Sequence, residues 1–209
     1  MIPNEPIRPL HDVWLRPRRV FRAIAPQPVG LIDHLLGATQ GVMNTLFYCR
    51  AADFGAKLSL TQIFAGSVVI GTVAGVVSLH VMAALYARLA ARAGIPALRR
   101  QAVHVLAYSS VPVAVSLGMW VVTALLAGET AFVQSPGDVD GFIAILLAVQ
   151  VAGYGLLALW AVVLQVMGFS EIMAVRVGKA FGIWVLGQLI AVLAILFLNV
   201  LISSFLPSA

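Results

Sequence analysis

Four long stretches without a charged residue constrain this chain more than any other feature. Each is longer than the roughly 20 residues that, at about 1.5 Å per residue, cross a hydrocarbon layer about 30 Å thick. We therefore predict an all-α fold, a polytopic transmembrane helical bundle. The four stretches, which contain no Asp, Glu, Lys or Arg, are Gln62–Ala87, Ala102–Ala127, Gly141–Met167 and Ala180–Leu206.

The composition agrees with a membrane protein and excludes several other classes. The chain is 61% hydrophobic and 10% charged, whereas an average soluble protein has roughly 25% charged residues. Its single cysteine, Cys49, excludes a disulfide scaffold. The net charge of +5 is therefore interpreted as a signal of membrane topology, and no nucleic-acid partner is predicted.

A fifth stretch, Val29–Tyr48, is less apolar, because it includes Asp33, His34, Gln40 and Asn44. Hydropathy alone leaves this stretch undecided between a span and a helix lying in the interface. The distribution of Lys and Arg separates the two interpretations, since cytoplasmic connections carry an excess of these residues.

With five spans, eleven basic residues fall on one side of the membrane and two on the other; with four spans, seven and six. We therefore predict five spans, a cytoplasmic N-terminus and an external C-terminus. The chain divides into a cytoplasmic basic N-terminal segment, residues 1–28, and a five-helix bundle, residues 29–206. The predicted spans are about 29–48, 62–87, 102–127, 141–167 and 180–206.

The N-terminal segment contains a short basic helix that begins at Pro17, where the missing N–H of proline costs nothing. Helical spacing places apolar and basic side chains on opposite faces, and such helices lie in the membrane interface. We predict that it binds lipid headgroups or a partner protein, with Trp14 and Phe21 as anchors; alternatively, it only fixes orientation. The predicted binding residues are Trp14, Arg18, Arg19, Phe21 and Arg22.

The predicted topology gathers polar residues in the cytoplasmic half of the membrane. Ionisable groups are costly in a bilayer and usually face the bundle interior. We consider a packed hydrogen-bond network, a water-filled cavity for a ligand, and a metal or proton site. The predicted polar cluster comprises Asp33, His34, His80, His104, Tyr108 and Gln188, and its first four members are the candidate metal ligands.

Two further features concern helix geometry. Pro112 lies within the third predicted span and is expected to kink it, with Ser109 and Ser110 available to bond freed carbonyls. Three pairs of glycines have the spacing that allows close helix packing, within the chain or alternatively in a homo-oligomer. These pairs are Gly37–Gly41, Gly71–Gly75 and Gly178–Gly182.

Motifs of several enzyme classes are absent from the sequence. It contains no G-x-x-x-x-G-K-[ST], H-E-x-x-H, G-x-S-x-G or C-x-x-C motif. We therefore predict a non-enzymatic protein without a cofactor, in contact with bound membrane lipid.

Three short segments resemble the bacterial branch of the YIP family, whose members are Yip-domain, Ypt/Rab-interacting-protein-like membrane proteins. They are "WLRPRRVFRAIA" at Trp14–Ala25, "LAYSSVP" at Leu106–Pro112 and "GFSE" at Gly168–Glu171. The resemblance implies a five-span protein without enzymatic activity that acts through partners. The Asp-Leu-x-Gly-Pro element of eukaryotic members is not present, so no GTPase binding is carried over.

Together these features predict a multi-pass membrane organiser or adaptor, in a bacterial inner membrane, that acts through protein or lipid partners. The alternative is a small transporter or channel for a cation, a metal or a small solute. That alternative requires a polar cavity that opens to the cytoplasm.

Overall fold

Helices account for nearly all of the chain that the computed structural model describes, which is residues 7–96, 98–134 and 140–205. This part of the chain contains no β-strand, so the predicted all-α fold is confirmed. The first six residues and Leu206, which belong to predicted segments, lie outside the described residues. The helices are α1 (Pro9–Asp12), α2 (Pro17–Ile24), α3 (Leu31–Ala51), α4 (Leu60–Arg92), α5 (Arg99–Ser109), α6 (Val111–Ala127), α7 (Gly141–Ile172) and α8 (Val177–Phe205).

Four helical segments of the described chain are long and apolar enough to cross a membrane. They are Leu60–Arg92, Arg99–Phe132, Gly141–Ile172 and Val177–Leu198. Large apolar side chains on these helices point outward, for example Val69 and Leu125, which are 67% and 76% exposed. An outward apolar surface of this extent is stable in lipid rather than in water, and the protein is an integral membrane protein.

Helices α3 and α4 pack against each other through glycine. Gly37 and Gly41 on α3 face Gly71 and Gly75 on α4, where a Cβ on Gly41 would lie 2.6 Å from the backbone nitrogen of Gly75. Such close approach of two backbones is typical of small-x-x-x-small spacing in membranes. At the third pair, Gly178–Gly182, an added Cβ would meet nothing within 4 Å.

The third predicted span, residues 102–127, is divided at Ser110, where α5 ends and α6 begins. Pro112 is the second residue of α6, a position where the missing N–H needs no helical partner. The hydroxyls of Ser109 and Ser110 donate to the carbonyls of Leu106 and Ala107, over 3.0 and 2.7 Å. These bonds supply partners for two carbonyls next to the break, where a span has no water to bond them.

One end of the bundle collects most of the positive charge, and we call it the basic end. It is formed by the N-terminal ends of α3, α5 and α8 and the C-terminal ends of α4 and α7, with α2 packed against it. Eleven of the thirteen Lys and Arg residues lie in the segments that meet there. The other two, Arg50 and Lys57, lie at the opposite end, where the Leu60 N–H donates to the Glu129 carboxylate.

Candidate functional site

Helix α2 is docked on the bundle by its apolar face. Val20, Phe21 and Ile24 are at most 2% exposed, and Phe21 lies against Gly168 of α7. The prediction that Phe21 inserts into the lipid interface is therefore wrong, because Phe21 packs against the bundle and not against lipid. Trp14 is partly buried against the same hydrophobic core.

The basic side chains of α2 differ in their exposure and contacts. The side chain of Arg18 is exposed and that of Arg19 is half-buried. Arg22 forms an ion pair with Glu171 at the end of α7, with Nη2 and Nε at 2.6 and 2.8 Å from Oε1. Because the Arg22 side chain is 75% exposed, this pair contributes less than about 1 kcal/mol. The apolar face, not the ion pair, holds α2 in place.

We expect Phe21→Ala to lower the free energy of unfolding by about 3–5 kcal/mol, because it empties a fully buried site. Leu15→Ala, at a side chain 78% exposed, is the matched control and should change it by less than about 0.5 kcal/mol. Thermal unfolding in detergent measures both. Equal stability of the two variants would show that α2 is not docked as described.

Asp33 and His104 form a buried pair next to the segment that follows α2. Asp33 Oδ1 is 2.7 Å from His104 Nδ1, and both side chains are at most 4% exposed. Asp33 Oδ2 accepts the N–H of Gly30 over 2.8 Å, which caps the start of α3. His104 Nε2 donates to the carbonyl oxygen of Gln27, 3.0 Å away, in the segment between α2 and α3.

This geometry fixes how many protons the pair holds. The Gln27 carbonyl only accepts, so His104 Nε2 must carry a proton. A second proton must lie between Nδ1 and Asp33 Oδ1, whichever atom it belongs to. The pair is therefore neutral as a unit, which is the arrangement that costs least in a low-dielectric interior. The pair connects α3, α5 and the segment between α2 and α3.

His34 and His80 form a second, separate pair. Their Nε2 atoms are 3.2 Å apart, and His34 Nδ1 lies 2.8 Å from the carbonyl oxygen of Gly30. Since that carbonyl only accepts, neutral His34 donates from Nδ1 and accepts from His80 at Nε2. This pair joins α3 to α4 on the partly exposed side of the basic end.

The four candidate metal ligands thus lie in two pairs rather than in one cluster. Within the described ranges, no group of three or more His, Cys, Asp or Glu is placed to hold a metal ion. In each pair, a histidine nitrogen is used by a backbone carbonyl. The structure therefore gives the metal interpretation no geometric basis in the part of the chain that it describes.

Gln188 belongs to a different hydrogen-bonded chain, which connects α8 to α4 and α7. Gln188 Nε2 donates to the Tyr86 hydroxyl over 2.8 Å, and that hydroxyl donates to the carbonyl of Trp184. Trp184 Nε1 donates to Gln165 Oε1 over 2.7 Å. Tyr108, in contrast, is 7% exposed and packs in the hydrophobic core near the basic end.

Tyr86 and Trp184 are site residues that the sequence prediction missed. Trp184 and Gln188 lie one helical turn apart, a spacing that puts them on one face of α8. An added Cβ on Gly187 would lie 2.8 Å from Cζ of Tyr86, so the glycine makes room for the ring. The sequence signal that could have indicated this contact is Gly187 next to Gln188, a small residue beside a polar one on a spanning helix.

Comparison of the chain with protein-family models, curated proteins and solved structures gives no match.

Proposed function

We propose that the protein crosses the membrane five times, with the basic end in the cytoplasm and the C-terminus outside. α3 has 21 residues and is about 30 Å long, enough to cross the hydrocarbon layer. Its packing on α4 through glycine supports a span rather than a surface helix. The eleven basic residues at one end support the orientation.

The proposed function is that of a non-enzymatic adaptor, in a bacterial inner membrane, that presents the basic face of α2 to a partner. The observation that supports this proposal is the docking of α2: its apolar face packs against the bundle, while Arg18 remains exposed. A rigid cationic surface held at the membrane suits an acidic protein segment or anionic headgroups. The resemblance to the YIP family is in keeping with this function and stays a prediction.

The alternative function, a small transporter or channel, has less support from the described residues. It predicts a cytoplasmic cavity that reaches Asp33 and the histidines. The Asp33 and His104 side chains are at most 4% exposed, and their polar atoms are occupied by each other and by backbone groups. Such an arrangement supports a structural role for the pair.

Site-specific photocrosslinking in native membranes tests the adaptor proposal. A benzophenone amino acid at position 18 should give a discrete protein adduct, and the double substitution Arg19→Glu, Arg22→Glu should reduce it severalfold through charge repulsion. The same probe at Lys57, at the opposite end, is the matched control and should not give that adduct. Identical adducts from both positions, or none from position 18, would count against a protein partner at α2.

A further inference from the structure

A cavity of about 410 Å³ lies in the middle of the bundle, bounded by α3, α4, α5, α6, α7 and α8. This volume is within the range of small-molecule sites, about 300–1,000 Å³. Among the described residues that line it there is no Asp, Glu, Lys, Arg or His. The polar residues that line it are Gln40, Asn44, Ser78, Ser110, Tyr154, Gln165 and Gln188.

Several of these polar groups have hydrogen-bonding capacity that the described part of the chain does not use. Gln40 Nε2 donates to Asn44 Oδ1 over 3.0 Å, which leaves Gln40 Oε1 and Asn44 Nδ2 without partners among the described residues. The Tyr154 hydroxyl likewise makes no hydrogen bond with them, although its ring packs 3.9 Å from that of Phe47. Unbonded polar groups are costly in a bilayer, so an occupant of this cavity must offer both a donor and an acceptor.

The cavity extends across much of the membrane. Gln165 lies about 10 Å from the C-terminal end of α7 and Tyr154 about 27 Å from it, at about 1.5 Å per residue. On α7 itself, the lining residues between Tyr154 and Gln165 are apolar: Ala158, Ala161 and Val162. Helix α3 contributes Gln40 and Asn44 to the same lining, so the cavity combines an apolar surface on α7 with polar groups on α3. An occupant with an uncharged polar head and an apolar tail would match this combination.

One side of the cavity faces the lipid. The large apolar side chains of residues 192–198 on α8 are all more than half exposed. Seven consecutive helical residues cover the whole circumference, so this part of α8 is not packed tightly on the bundle. Ile195, which is 60% exposed, and Asn44, also exposed, both line the cavity. Entry is therefore available from the bilayer between α3 and α8.

We propose that this cavity binds an uncharged membrane amphiphile, one with a hydroxyl or carbonyl head and a long apolar tail, that enters from the bilayer. The head would bond with Gln40, Asn44 and Tyr154. A charged head is excluded because the described lining residues offer no opposite charge and burial of a bare charge is costly. This proposal concerns a different part of the molecule from α2 and does not rest on the adaptor function.

The test uses the full-length protein in nanodiscs and diacylglycerol that carries a photoreactive group on one acyl chain. The adduct should map to lining residues of α3, α7 and α8. Tyr154→Phe, which removes only the unpartnered hydroxyl, should weaken labelling about three- to tenfold, as loss of one hydrogen bond does. Ala158→Phe, which fills the cavity, should weaken it more than tenfold. Leu156→Phe, at an outward side chain 70% exposed, should leave it unchanged.

Thermal unfolding of each variant distinguishes loss of the site from loss of the fold. A fatty acid with the same photoreactive chain, ionised at pH 8, should label the cavity at least tenfold more weakly than diacylglycerol. Equal labelling by the two probes would overturn the uncharged-head specificity. Two results would overturn the site itself. One is labelling of outward-facing residues that persists in the Ala158→Phe variant. The other is crosslinks between two copies of the protein across the opening.

Discussion

Replacement of Asp33 by leucine is expected to lower the free energy of unfolding by about 3–5 kcal/mol, the cost of removing one member of a buried hydrogen-bonded pair. The loss has two parts: His104 keeps a buried polar ring without its partner, and the Gly30 N–H loses its acceptor. His104→Leu should cost a similar amount. The double variant should cost less than the sum of the two, since both remove the same contact. Thermal unfolding in detergent measures all three.

Asp33→Asn is the matched control for that experiment, and it also tests whether the pair depends on its hydrogen bonds or on the charge of the carboxylate. An asparagine Oδ1 accepts the Gly30 N–H, while its Nδ2 donates to Nδ1 of neutral His104. We therefore expect this variant to stay within about 1 kcal/mol of the native protein. If Asp33→Asn is as damaging as Asp33→Leu, the carboxylate charge itself is required, and hydrogen bonding alone does not account for the stability that the pair contributes.

Gly41→Ala is expected to separate α3 from α4, with a loss at the upper end of the roughly 1–3 kcal/mol that overpacking costs. The added methyl group would overlap backbone atoms of Gly71 and Gly75, which cannot turn aside as a flexible side chain does. Disulfide or proximity crosslinks between the two helices should weaken together with thermal stability.

The control for this substitution is Gly66→Ala on α4. An added Cβ on Gly66 would meet nothing within 4 Å, and alanine is the better helix former. Its stability should therefore equal or slightly exceed that of the native protein. A Gly41→Ala protein as stable as Gly66→Ala would show that the two backbones do not approach as closely as described.

The helical fold was predictable because a helix that spans a membrane needs a long run of uncharged residues, and such runs are visible in the sequence. Uncharged runs of more than 20 residues admit few alternatives to spanning helices. The described residues of all four runs are helical, apart from the break at Ser110. The glycine spacing also identified the α3 and α4 contact faces. It did not distinguish them from Gly178–Gly182, which has the same spacing without a neighbour, because spacing alone does not say which helices are adjacent.

The partners of the polar residues could not be predicted from their order in the chain. Depth along the helices placed Asp33, His34, His80 and His104 at one level, but rotation of each helix divides them into two pairs. The same limit applies to Phe21. An amphipathic helix shows its apolar face equally clearly whether that face meets lipid or protein, and Gly168, which accommodates the ring, lies 147 positions away.

The proposed cytoplasmic location of α2 and the basic end requires α3 to be a fifth span. Cys49 is the only cysteine, so Cys49→Ala gives a background for single-cysteine labelling. Arg18→Cys and Lys57→Cys, both at exposed positions, flank α3. With a membrane-impermeant maleimide on intact cells, we expect labelling at position 57 at once and at position 18 only after permeabilisation. Labelling of both positions under the same condition would contradict the five-span topology.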